Sequence, residues 1–178
     1  MNPHPPTSPA AVTAVGPHAG TPTPLPVSTD APSFQQACHL AANEGAGPNA
    51  RIRVRTWLTV GCWKGNVDQA ARVADKLVDN AVKHGKPFPS DVSFVTLRVF
   101  GLADTGELAV EVEDALPAFP GFPQVANQSG EVHGMPKGLW WVAHYRGRLA
   151  WDVKKDVSGA VIGKSVQAVL PATWDGAV

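Results

Sequence analysis

Hydrophobic residues return along this chain in two rhythms, one of three and four positions and one of two, and their alternation lays out the elements. From Asn49 to Val60, Ala50, Val54, Trp57 and Leu58 fall on one helical face. The Gly45-Ala46-Gly47-Pro48 turn before them suits a helix start, because proline is tolerated in a first turn whose N–H groups have no partner. A stronger stripe follows: Val67, Ala70, Ala74, Leu77, Val78 and Ala81 line a second predicted helix. Asn66 and Gln69 form a capping box at its start, Gly85 closes it after His84, and Pro87 bars continuation. Period two takes over in Val92 to Phe100 and Glu107 to Asp114, which predict an antiparallel hairpin across a Gly-Leu-Ala-Asp-Thr-Gly loop. In the second of these strands Leu108, Val110, Val112 and Asp114 share one face.

Phe34 to Asn43 has modest strand character, a helix is expected from about Lys137 to Tyr145, and Arg148 to Lys154 and Lys164 to Leu170 alternate as a last pair of strands. This order predicts an α+β two-layer sandwich, with an antiparallel or mixed, mostly antiparallel, sheet and its helices packed on one face. The stretch 115–136 is rich in proline, glycine and polar residues and too long for a plain connector, so it is expected to be a lid or binding loop.

Composition trims the picture. With 178 residues, 44% of them hydrophobic, the chain suffices for one core, expected over 34–178. Residues 1–33 hold nine prolines and no aromatic residue, which predicts a disordered leader. Lys+Arg and Asp+Glu are both 15, so net charge gives no reason to expect nucleic acid or an anionic membrane as partner. The first Lys or Arg is Arg51 and no apolar run reaches the ~18 residues of a span, which predicts a cytoplasmic protein. Cys38 and Cys62 are too few for a disulfide framework.

Three segments carry the candidate chemistry. On the second helix Lys76, Asn80 and His84 are spaced four apart and form a row beside the apolar stripe. Asn80 is either a functional amide or an exposed filler, and His84 either a site residue or a favourable group at the helix's negative end. Asp114 either points its carboxylate into the helical layer, where it needs donors, or caps the turn after the strand. In Gly134-Met-Pro-Lys-Gly138-Leu-Trp-Trp-Val a glycine-containing loop runs into a predicted helix start, whose free N–H groups favour phosphate, with Lys137 adding a cation.

Taken in order, these segments resemble the GHKL ATPase family over about residues 34–171, and most closely its anti-sigma-factor serine kinase branch. Lys-Leu-Val-Asp-Asn-Ala-Val-Lys-His-Gly at 76–85 is similar to the family's asparagine box, Val-Glu-Val-Glu-Asp at 110–114 to its aspartate box, and Gly138-Leu-Trp-Trp-Val to a glycine box. The His-Gly after the asparagine box and the ending Gly163-Lys-Ser-Val-Gln-Ala-Val-Leu-Pro171 point to the anti-sigma branch. The resemblance implies a Bergerat-type ATP-binding fold. In it Asn80 would hold Mg²⁺ against the phosphates of ATP, Asp114 would receive the adenine amino group, and the backbone at Lys137, Gly138 and Leu139 would cradle phosphate, with His84 beside them. It also implies a protein partner, a sigma factor or an anti-sigma antagonist, and allows a homodimer.

The pattern is broken in places. The family has a glutamate four residues before the asparagine, as the base that activates the attacking group, and this chain has Lys76 there. Ala115, Leu116 and Pro117 stand where glycines are expected, and Pro136 replaces a glycine of the second box. Three functions follow as expectations: a nucleotide-binding regulator with little or no catalysis, an active serine/threonine kinase of an anti-sigma antagonist, or a nucleotide-free interaction module presenting Trp140 and Trp141.

Overall fold

Strand β1, Gln35–Ala41, opens the described part of the chain. The computed structural model describes residues 32–126 and 137–172, together with Leu25. The leader expected before Phe34 therefore falls almost entirely outside the described residues, as does the 127–136 part of the expected loop.

Two helices follow β1. In α1, Ala46–Val60, Ala50, Val54 and Leu58 are fully buried, so the predicted face is the one that packs. α2, Val67–His84, begins as the capping box requires, with the Asn66 side chain accepting from the Gln69 N–H at 3.0 Å. Every residue of its predicted stripe from Ala70 to Ala81 is buried, and Val67 packs partly exposed against the same core. Each fully buried Leu or Val there contributes roughly 1.5–3 kcal/mol, which is why this helix tolerates a polar row along its flank.

The remaining strands are β2, Phe94–Gly101; β3, Leu108–Asp114; β4, Arg148–Lys155; and β5, Val161–Leu170. Two short helices, α3 at Phe122–Ala126 and α4 at Trp140–His144, lie between β3 and β4. The sheet order is β1-β2-β3-β5-β4 and all four pairings are antiparallel, so the expected sheet is antiparallel throughout. α2 packs on β2, β3 and β5, and α1 packs on α2. The architecture is thus α+β, with strand β3 at the sheet's centre and α2 lying over it.

Central position makes β3 buried on both sides. Leu108, Val110 and Val112 face the helices and join the main core. Glu111 and Glu113 face the other way, where Arg98, Lys154, Ser165 and Gln167 surround them. Among the described residues no helix is long and apolar enough to cross a membrane.

Candidate functional site

Asp114 ends β3 on the same side as Val110 and Val112, and it is fully buried in the helical layer. A carboxylate there is costly unless donors meet it. The protein supplies them. Oδ1 accepts from the Leu116 N–H at 2.8 Å, the Lys86 N–H at 3.4 Å and the Lys164 ammonium at 2.7 Å. Oδ2 lies 2.7 Å from the same ammonium and has no further partner among the described residues. The two alternatives for Asp114 therefore coexist, since it faces the helices and also caps the next turn.

Local sequence sets up this pair. The β3–β5 register places Asp114 opposite Lys164, and Lys164 shares the inward phase of Val166, Ala168 and Leu170. Glycines let the neighbouring backbones close in. A Cβ on Gly163 would stand 2.0 Å from the Asp114 carbonyl oxygen, and one on Gly85 would stand 2.6 Å from the Asp114 carboxyl carbon. Any side chain at either position would push β5 or the end of α2 away from the carboxylate.

Above the pair opens a pocket of ≈ 410 Å³. Asn80 and His84 line it from α2, Lys164 from β5, and Ala118, Phe119, Pro120, Gly121 and Val125 from the long connection. Phe119 is fixed by edge contacts with Phe122 and Trp151, at ring separations of 5.3 and 6.1 Å. Asn80 is half-buried, and its side-chain amide has no hydrogen-bond partner among the described residues. His84 is exposed in the last turn of α2 beside Lys83, where the helix dipole favours a cation.

Lys76 lies one turn back in the same row, half-buried, with its ammonium 3.4 Å from Asp75. Asp79 is held by Lys83 at 2.8 Å. Neither acid takes over the place of a base in the row of Lys76 and Asn80.

The described part of the third predicted segment, from Lys137 on, lies outside this lining. Lys137 and Gly138 are exposed, Gly138 takes φ +52°, and Leu139 is buried in the main core. None of the three lines the pocket at Asn80. α4 has five residues, shorter than the helix expected from Lys137 to Tyr145, and Gly134 to Pro136 fall outside the described residues. Trp141 belongs to the core, with the Arg72 guanidinium stacked 4.5 Å over its ring, and Trp140 is half-buried.

Asn80, His84 and Asp114 thus meet at one end of α2, and Lys164 is the residue that sequence reasoning missed. Its signal was available: a lysine in the inward phase of an otherwise apolar strand.

The nucleotide that the resemblance implies has two needs that can be set against these residues. The amide of Asn80, unpartnered among the described residues and lining the pocket, suits the oxygens of a hydrated Mg²⁺ and its phosphates. The carboxylate that the resemblance assigns to the adenine amino group is already met by the chain's own donors, and Lys164, its partner, is the one of the pair that lines the pocket.

No family model matches the chain, and no curated protein does. Among solved structures it is similar to the RsbU and RsbW domains of a Mycobacterium tuberculosis protein, with 16% identity and a TM-score of 0.46. That likeness covers 78% of this chain and 32% of the other, so the chain spans about a third of that protein's length. It is also similar to the mycobacterial sensor histidine kinase MprB, with 21% identity, a TM-score of 0.37, and coverage of 60% of this chain and 74% of that one. At these values neither likeness bears on activity or partner, and the resemblance to GHKL domains rests on this chain's own motifs.

Proposed function

We propose that this chain is a cytosolic regulatory module that works by binding a protein of transcription control, a sigma factor or an anti-sigma antagonist, and transfers no phosphate. In this reading the pocket at Asn80 holds a nucleoside triphosphate with Mg²⁺, ATP being the one the resemblance implies. The observation that carries it is the pairing of the Asn80 amide, unpartnered among the described residues, with a cation, Lys76, one turn away in the place of the expected base. An ammonium accepts no proton, and a positioned general base is worth roughly 10²–10⁴ in rate. Binding contacts survive that replacement, and turnover does not.

The test joins calorimetry to a transfer assay. Magnesium nucleotide is expected to bind wild-type protein and to lose about tenfold or more in affinity in Asn80→Ala, while labelled ATP yields no phosphoprotein with any antagonist. Transfer that depends on Mg²⁺ and disappears in Asn80→Ala would establish the kinase instead.

A further inference from the structure

We infer that Arg51 of α1 and Arg72 of α2, together with the Tyr145 hydroxyl at the end of α4, form a site for a phosphoserine or phosphothreonine side chain of the protein partner. This rests on the protein-binding reading above and says what that partner presents. It uses nothing of the pocket at Asn80.

The charges of the two long helices do not balance. Their three acids all lie on α2 and each has a cation at hand: Asp68 meets Arg55 at 2.6 Å, Asp75 meets Lys76 at 3.4 Å, and Asp79 meets Lys83 at 2.8 Å. Arg51, Arg53 and Arg72 are left without a carboxylate among the described residues, and α4 adds none. Arg53 lies toward Cys38 of β1, and the other two stand together at Tyr145.

The Arg72 guanidinium stacks 4.5 Å over the Trp141 ring, whose centroid is 5.3 Å from that of Tyr145. Burial pushes the pKa of the Tyr145 hydroxyl up, and the guanidiniums of Arg72 and Arg51 both oppose it, so two cations converge on one hydroxyl. Arg51 Nε is shut off from solvent and has no hydrogen-bond partner among the described residues. A buried donor left unpaired and a second cation close by are costly together, and a dianion relieves both.

Shape and charge choose the ligand. Donors arriving from three elements suit a tetrahedral phosphate, whereas a planar carboxylate is satisfied by one guanidinium fork. Two guanidiniums also match the charge of about −1.5 to −2 that a phosphorylated side chain carries near pH 7. The phosphates of a nucleotide fit less well, because Arg72 lies two turns, about 12 Å, along α2 from Asn80 and neither arginine lines that pocket. Ile52, next to Arg51 in sequence, is 63% exposed and gives the flanking chain of a peptide an apolar contact that free phosphate does not use. On this assignment the chain reads a phosphorylation and writes none.

The experiment is an NMR titration of the full chain, followed at the tryptophan indole N–H signals. Four probes are used: a neutral peptide bearing one phosphoserine, its unphosphorylated twin, inorganic phosphate, and ATP with Mg²⁺. The phosphopeptide is expected to bind about tenfold or more tighter than its twin and than inorganic phosphate, and to shift the Trp141 indole. Arg51→Gln and Arg72→Gln should each weaken it about tenfold or more, the effect of one charge-assisted hydrogen bond, and saturating ATP should leave it unchanged. Equal binding of phosphopeptide and twin, or an affinity unchanged in both variants, overturns the site. Inorganic phosphate binding as tightly as the phosphopeptide overturns its assignment to a protein, and so does displacement of the phosphopeptide by ATP. Arg72→Gln gives up the stack on Trp141, so Arg51→Gln decides should that variant fail to fold. Phosphate transfer in the assay above would remove the regulatory reading and leave these affinities as measured, and failure here leaves the nucleotide result standing.

Discussion

Strand β3 carries charge to both faces of the sheet, and the two faces hold it differently. Toward the helices, Asp114 meets one ammonium in an apolar layer, with both side chains almost wholly buried. Away from them, Glu111 and Glu113 sit in a chain of partners. Arg98 bonds both glutamates, Lys154 reaches Glu113 at 2.8 Å, Gln167 donates to Glu111 at 2.9 Å, and Ser165 lies 3.4 Å from Glu113. The cations of this outer set remain about a third exposed. Burial works against the charge on Arg98, but its bond to Glu111 and the charges of both glutamates outweigh that and raise its pKa. Many partners and exposed cations make the outer face tolerant of a loss, whereas the inner pair has a single counter-ion and almost no exposed surface.

The comparison breaks first at Lys164. Lys164→Met leaves Asp114 charged and uncompensated, and about 3–5 kcal/mol of stability should disappear in denaturant unfolding. Adding Asp114→Asn to that variant should restore most of it, because a buried pair replaced whole costs little. A single mutant within 1 kcal/mol of wild type would show that water reaches the pair.

Arg98→Met tests the other face. Glu113 keeps Lys154 and Glu111 keeps Gln167, so the expected loss is smaller, about 2 kcal/mol by the same measurement. Equal losses at Arg98 and Lys164 would erase the contrast.

The smallest effect belongs to the surface pair Arg148–Glu107, 2.7 Å apart at the rim of the sheet. The Arg148 bond holds the Glu107 carboxyl below its ordinary 4.5, with Thr105 assisting and burial opposing. A lowered folded pKa stabilises above the unfolded value, and that stabilisation is lost as pH falls through the folded one. Glu107→Gln should therefore cost no more than about 1 kcal/mol at neutral pH, and the gap should close in acid.

Local patterns made most of the fold legible. The Asn66 capping box, the α2 stripe and the β2–β3 hairpin each follow from residues within a few positions of one another, and each is present in the structure. The candidate site was legible where a single element's period carries it, as with Asn80 and His84 on α2 and Asp114 at the end of β3. Lys164 escaped because its meaning depends on a register between strands 50 residues apart, which no local period reports. Glu111 and Glu113 look like the wet side of a half-buried strand, and their burial comes from neighbours on both flanks. Lys137, Gly138 and Leu139 are not among the pocket's lining residues: α4 starts only at Trp140, and Leu139 is drawn into the core.

Asp114 does more than sit under a pocket. Its carboxylate touches the turn after α2 at Lys86, the first residues of the long connection at Leu116, and strand β5 at Lys164. Three stretches of backbone far apart in sequence are thus stapled through a single side chain, a cross-link made of charge in a chain whose two cysteines remain free. Replacing that one group would slacken all three at once, so the turn, the connection and the strand are expected to loosen together and not one by one.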